Sequence, residues 1–396
     1  MRIGVFAPNW SPEVGGGSTF ISSVLESLQT HAHLSNHTFI LYTHDLGFEN
    51  EKPSINIEYF PIIPNRFFEG RISTAIRFSP ILRRIFQGYK PLIERCASQS
   101  KADIVWYVAG GNYDPIDIPY IATVWDIQHC THPWFPEVSS NREWDEREML
   151  QSSFLKRALR VVVGTTVGRE ELGWYYSIPP NRVCVNPHPT PMLPSEPTLP
   201  TRFSNIPGIV SSKYFFYPAQ FWAHKNHVNL IHALSQLLQK TRENPKLILT
   251  GSDQSNETYI HRVIQDLNLI DSVYILGFVS KEELAWLYKN AIALVYSSFS
   301  GPENLPPLEA LSLGCPVAIS DYPGAKEQLG DSALYFDPHN PSDIADTLYR
   351  FISEPNLAQQ LIEQSAAILN DRTGEKFVRQ VFGLLDEVSV IRRCWP

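Results

Sequence analysis

The stretch "AIALVYSSFSGPENLPPLEALSLGCPVAIS", residues 291–320, decides the fold. Residues 291–298 are short, apolar and partly β-branched, the pattern of a buried strand. Residues 308–314, "LEALSLG", are good helix formers that stop at Gly314, a residue type common just past a helix end. Residues 315–320, "CPVAIS", read as a second buried strand. The order is strand, loop, helix, strand. Pro306 and Pro307 fall in the first helical turn, where a missing N–H costs nothing because those donors have no partner inside the helix. Asn304 is of the type that caps such a helix. The N–H groups of Asn304 and Leu305 then point forward, where about half a positive charge favours an anion such as phosphate. Glu309, roughly one turn in, is within reach of a sugar hydroxyl. The alternative is an ordinary turn with a solvent-exposed glutamate.

The same alternation runs outward in both directions. Toward the N-terminus, strands are expected at 2–8, 37–44, 102–108, 119–126 and 160–166, with a helix at 21–30. A proline-rich stretch, 186–208, then interrupts the pattern. It restarts with strands at 214–220, 246–252 and 273–279, and helices from about Asn226 to Leu238, near 257–267 and at 281–290. Continuous apolar strands separated by helices imply parallel sheets covered on both faces. The reading is therefore α/β, with two Rossmann-like βα domains facing across a cleft. Their bounds are 1–190 and 213–374, with a linker at 191–212. The segment 375–396 is a helix that packs back on the first domain. In such sheets ligands bind beyond the carboxyl ends of the strands.

Totals bound the function. A chain of 396 residues, 43% hydrophobic and 19% charged, is long enough for two or three domains with sizeable cores. A net charge of −8 argues against nucleic acid as partner. The cysteines, at 96, 130, 184, 315 and 394, form no CxxC pair, which suggests free thiols in a reducing cytoplasm and no zinc site. The chain opens on a strand, without a signal peptide, and no apolar run is long enough to span a membrane.

Candidate residues fall at the expected strand ends. Gly15, Gly16 and Gly17 follow the first strand, where glycines allow close backbone approach to a ligand. A bare flexible turn is the other reading, and GxGxxG is absent. Gln220 and Lys225 follow the first strand of the second domain. A lysine facing a cleft can neutralise a diphosphate leaving group, although most lysines are solvated surface charges. Phe278 and Val279 sit after Gly277, where backbone groups could read a base edge or simply turn.

Together "AQFWAHKNH" (219–227), "GFVSKEELAWLYKNA" (277–291) and "GPENLPPLEALSLGCPVAISD" (301–321) resemble the second domain of family 4 glycosyltransferases. "VWDIQHCTHPWFPE" (124–137) and "VVVGTTVGREEL" (161–172) agree with its first domain. The resemblance covers nearly the whole chain. It implies the GT-B fold, a sugar-nucleotide donor in the second domain, retention at the anomeric carbon and no required metal or other cofactor; no DxD motif of the metal-dependent kind is present. It implies catalytic roles for Lys225, Glu309 and His129. Donor contacts fall on Gly16, Gly17, Gln220, Phe278, Val279, Glu303, Asn304 and Leu305, and acceptor-side positions on Trp125, Asp126 and His132. The chain departs from the family at several points. The first of two family glutamates is Gly301 here, with Glu303 two residues away; the second matches Glu309. The usual phosphate-loop arginine is Gln220. The histidine of the family's HD pair is Trp125, with His129 and His132 just downstream.

The activity expected is transfer of a hexose, with UDP-glucose first on family frequency, to a glycan or lipid-linked acceptor in envelope polysaccharide synthesis. The alternatives are a non-catalytic sugar-nucleotide-binding partner of another transferase and a GT-B sugar-nucleotide epimerase. In residues 66–90, Arg66, Arg71, Arg77, Arg83, Arg84 and Lys90 interleave with apolar residues, which suits an anionic membrane surface; the other reading is a pair of amphipathic helices whose apolar side is simply core. The expected location is cytoplasmic, peripheral on the inner face of the plasma membrane.

Overall fold

Strands of four to six residues such as "RIGVF" and "YIAT" are buried along nearly their whole length, so both faces of each sheet need cover. The computed structural model describes residues 1–7, 15–43, 55–62, 81, 90–110, 116–204, 206, 209–211 and 213–394. The first sheet holds β1 (Arg2–Phe6), β2 (Thr38–Thr43), β3 (Ile57–Pro61), β4 (Ile104–Tyr107), β5 (Tyr120–Thr123), β6 (Arg160–Val163) and β7 (Val183–Val185). All are parallel, in the order β3, β2, β1, β4, β5, β6, β7. The second holds β8 (Tyr214–Pro218), β9 (Lys246–Thr250), β10 (Val273–Ile275), β11 (Ala293–Tyr296), β12 (Val317–Ser320) and β13 (Ala333–Phe336). These too are parallel, in the order β10, β9, β8, β11, β12, β13. Sequence patterning leaves β3, β7 and β13 unmarked. Each is an outermost strand of its sheet.

This strand order fixes where a ligand can sit. Each sheet runs one way from its first strand and then back past it, so the switch points fall between β1 and β4 and between β8 and β11. Crevices open beyond the carboxyl ends of strands at such points. Gly15 and the first turn of the helix Gly16–His31 lie beyond β1, and the segments leaving β8 and β11 carry Gln220–Lys225 and Gly301–Asn304.

The helix Gly374–Arg392 packs across the first domain. Phe377, Val381, Phe382, Leu385 and Val388 form one helical stripe and join that domain's core with Phe20, Val24 and Phe39. The chain thus crosses between domains twice, near His188 and near Arg372, where the Thr190 N–H donates to the Arg372 carbonyl at 2.8 Å. The basic and apolar run 66–90 lies outside the described residues, apart from Ile81 and Lys90. Among the described residues no helix is long and apolar enough to cross a membrane.

Candidate functional site

The loops at the two switch points enclose a cavity of about 410 Å³. The first domain lines it with Gly15–Phe20, Ser22, Trp125 and, at the crossing, His188. The second contributes Gln220, Lys225, Thr250–Ser252, Phe278, Val279, Tyr296, Asn304, Leu305 and Glu309, among others. Gly15 holds φ at +92°, and a Cβ there would stand 3.2 Å from the Gln220 side chain. The positive φ and the nearness of Gln220 together favour glycine at this approach of the two domains. Gln220 is fixed in turn: its amide donates to Ser252 Oγ at 3.0 Å, and its carbonyl accepts from Trp222 Nε1 at 3.1 Å.

Lys225 is held by a relay. Its Nζ donates to Tyr296 Oη at 2.9 Å, and Tyr296 donates to Asn304 Oδ1 at 2.7 Å. The Asn304 amide donates onward to Gly301 O at 3.0 Å and Tyr322 Oη at 2.8 Å. Burial lowers the Lys225 ammonium to about 8, against the opposing pull of Asp126 and Glu137. A half-buried cation of this kind attracts a diphosphate strongly.

The relay corrects the expectation for Asn304. Its side chain makes no cap bond to the helix Leu305–Ser312, because Tyr296, Tyr322 and Gly301 take it. Its N–H is engaged as well, donating to Gln328 Oε1 at 3.2 Å. Leu305, at the first helical position, and Pro306 line the cavity, so the Leu305 N–H is the helix-end donor that remains for an anion.

Glu303 takes a different part from a sugar contact. Its side chain is 1% exposed and ion-paired with Arg372, and it accepts from the His188 N–H at 3.1 Å. Both oxygens are engaged at the point where the chain crosses between domains, although the residue borders the cavity. Gly301 offers no room for the missing glutamate: φ is +124°, and a Cβ would lie 2.7 Å from Asn304 Nδ2.

Glu309 is buried, one turn into the helix, and lines the cavity beside Val279 and Lys281. Burial raises its carboxyl to about 7, while the hydrogen bond from Tyr288 Oη, at 2.8 Å, opposes the rise. It can accept or donate to a hydroxyl near neutral pH. Phe278 is half exposed at the cavity mouth, with its carbonyl 3.3 Å from Arg202 Nη2.

The first-domain candidates divide. Trp125 reaches the cavity and meets Phe20 edge-on at 5.6 Å. Asp126 accepts from the Gln128 N–H at 2.9 Å and contributes charge that favours protonated Lys225. His132 stacks on Phe135 at 6.0 Å. His129 is fully buried, 3.0 Å from Tyr176 Oη, and is absent from the cavity wall; the fold turns this side chain into the first domain.

Two cross-cleft ties escape the sequence reading. Glu137 accepts from the His224 N–H at 3.0 Å and from His224 Nδ1. Glu327 of the second domain accepts from the Thr166 and Val167 N–H groups, at 2.6 and 3.4 Å, at the start of the helix Thr166–Tyr176. Glu137 and His224 lie inside stretches that resemble the family, but no local pattern pairs them.

Two facing parallel-sheet domains with a cavity at paired switch points define the GT-B class. A solved structure agrees: sucrose-phosphate synthase from Thermosynechococcus elongatus superposes with a TM-score of 0.71 over 98% of this chain and 99% of that one, at 17% identity. Residues 202–367, which span most of the second domain, match the family described as glycosyl transferases group 1. The chain is similar to the O-antigen chain mannosyltransferase RfbU of Salmonella typhimurium, 34% identical over 125 residues. That match spans 32% of this chain and only about a third, 34%, of the relative. The O-antigen chain mannosyltransferase B of Escherichia coli is 24% identical over 287 residues, 70% of this chain and 72% of the relative.

Proposed function

We propose that this protein is a retaining, metal-independent glycosyltransferase that moves a hexose from a nucleoside-diphosphate sugar to a glycan or lipid-linked acceptor in O-antigen-type polysaccharide synthesis. One observation carries the reading. Lys225, fixed through Tyr296 and Asn304, borders the same cavity as Gly15–Gly17, the Leu305 N–H and the buried carboxyl of Glu309. As the bond from the anomeric carbon to the diphosphate breaks, negative charge grows on the leaving phosphate. Donors set in advance lower that barrier. Lys225 and the Leu305 N–H serve there, and Glu309 orients the nucleotide's ribose. Acceptor attack on the same face of the sugar needs no enzyme nucleophile, and none is assigned.

The names of the two O-antigen relatives favour a mannosyl donor over UDP-glucose, which rested on family frequency. A cytoplasmic site at the inner face of the plasma membrane suits a lipid-linked acceptor. The test is release of free nucleotide from a panel of UDP-, GDP- and ADP-sugars in magnesium-free buffer. Release from one donor is expected, unchanged by added magnesium and lost in Lys225→Ala and Glu309→Gln. Silence with every donor, even with lipid-linked acceptors present, would favour a non-catalytic binding partner. A new sugar nucleotide appearing without acceptor would favour an epimerase.

A further inference from the structure

Away from the cavity wall, four side chains from three helices converge on one point. His129 and Cys130 stand together on the short helix Gln128–Thr131, Glu148 on the helix Glu143–Arg157, and Tyr176 at the end of the helix Thr166–Tyr176. His129 Nε2 lies 3.3 Å from Cys130 Sγ, 3.5 Å from Glu148 Oε2 and 3.0 Å from Tyr176 Oη. Cys130 Sγ lies 3.6 Å from Glu148 Oε2 and 3.4 Å from Tyr176 Oη, and those two oxygens are 2.9 Å apart.

All six separations between the four atoms thus fall between 2.9 and 3.6 Å, so the atoms form a nearly regular tetrahedron. The centre of a tetrahedron with edges of about 3.3 Å lies about 2.0 Å from each corner. That is the radius of a four-coordinate zinc shell, in which nitrogen and oxygen bind at roughly 2.0–2.2 Å and sulfur at roughly 2.3 Å. Hydrogen bonding accounts for the cluster less completely. The phenol and the thiol carry one proton each and the imidazole supplies at most one to the group, against six close separations. The charges also suit a dication: a thiolate and a carboxylate beside a neutral imidazole sum to −2, which zinc cancels in a largely buried setting. Glu148, with its side chain about a third exposed, gives an ion its way in.

We propose that His129, Cys130 and Glu148 bind a zinc ion, with the Tyr176 oxygen at the fourth corner. The ion ties three helices together behind the loop that carries Trp125 and Asp126. Its role is structural and leaves the metal-free reading of the transfer step untouched. The scattered cysteines gave no sign of it, because the ligands come from positions 129, 130, 148 and 176 and only the fold assembles them.

The full chain, stripped of metal, is titrated with Co²⁺ alone and then with Zn²⁺. One Co²⁺ per chain is expected, with a near-ultraviolet thiolate-to-cobalt charge-transfer band and the strong visible bands of a four-coordinate ion, both removed by Zn²⁺. Cys130→Ser should lose the charge-transfer band, and Glu148→Gln should weaken zinc binding on the order of tenfold or more. Zinc should raise the melting temperature of the unaltered chain and not that of Cys130→Ser. Absence of the charge-transfer band from the unaltered chain in excess Co²⁺ would overturn the proposal. So would a band that survives in Cys130→Ser, or zinc affinity unchanged in Glu148→Gln. The readouts are spectroscopic and thermal, so failure of the transferase assay is a separate outcome.

Discussion

Glu137 of the first domain and His224 of the second are joined across the cleft by one carboxylate oxygen, which accepts from both the backbone N–H and the ring of His224. His224 directly precedes Lys225. Burial lowers the His224 imidazole to about 4, so it is neutral at pH 7 and its Nδ1 carries the proton donated to Glu137. Burial alone would raise the Glu137 carboxyl, but the His224 hydrogen bonds outweigh it and the net shift is downward. Glu137→Ala leaves two buried donors unpaired and removes a charge that favours protonated Lys225. A loss of about 1–3 kcal/mol in the arrangement that holds Lys225 at the cavity corresponds to a fall in kcat/KM on the order of 10- to 100-fold. Glu137→Gln keeps an acceptor oxygen and should lose less. Steady-state donor hydrolysis measures both, and equal kcat/KM in Glu137→Ala and the unaltered protein would remove the tie from the functional account.

On the proposed function, Lys225 sets the alkaline limit of the reaction. Its ammonium, lowered to about 8 by burial, is charged below that pH and increasingly neutral above it. The pH profile of kcat/KM reports groups of the free enzyme, so it should fall as pH rises through about 8. Lys225→Ala should cost on the order of 10²- to 10³-fold in turnover, the range for losing one such stabilising donor. Lys225→Arg keeps its charge throughout and should shift the limb to higher pH despite a poorer fit to Tyr296. A profile of the unaltered enzyme that stays flat from pH 7 to 10 would exclude Lys225 as the limiting cation.

Much of this geometry was legible in the sequence, and the exceptions share a cause. Both sheets could be read from apolar runs alone, except for their outermost strands β3, β7 and β13. The cavity residues Gly15–Gly17, Gln220, Lys225, Leu305 and Glu309 follow from one rule, that ligands sit beyond strand ends at switch points. What the sequence concealed are contacts between distant segments. Tyr296 ends an ordinary apolar strand, and nothing local shows that it orients Lys225. Asn304 reads as a helix cap until Tyr296, Tyr322 and Gln328 are seen to engage it. Glu303 reads as a displaced sugar contact until Arg372, sixty-nine positions away, is found against it.

The Glu303 cluster should therefore behave as structure. The carboxylate, Arg372 and His188 are all buried where the chain crosses between the domains. Removing one member of a buried ion pair strands the other charge and costs about 3–5 kcal/mol. Glu303→Gln should lower the denaturation midpoint markedly, whereas pairing Glu303→Met with Arg372→Met should recover much of the loss. A sugar contact would give the opposite result, unchanged stability with reduced turnover. Equilibrium denaturation and donor hydrolysis on the same samples tell the two apart.

Glu309 makes a prediction about stability that is independent of any substrate. Burial raises its carboxyl from 4.5 to about 7, so between those values the folded chain holds a proton that the unfolded chain has released. Stability from this group is fully present below about pH 4.5 and is lost as pH rises through about 7. Glu309→Gln has nothing to titrate and retains the neutral form at every pH. The difference in unfolding free energy between variant and parent should thus move in the variant's favour from pH 5 to pH 8, by at most on the order of 3 kcal/mol. Both proteins would be unfolded in urea at those two pH values. A difference that stays constant would mean that Glu309 is ionised in the folded chain throughout, and that a charged carboxylate, not a protonatable one, faces the nucleotide.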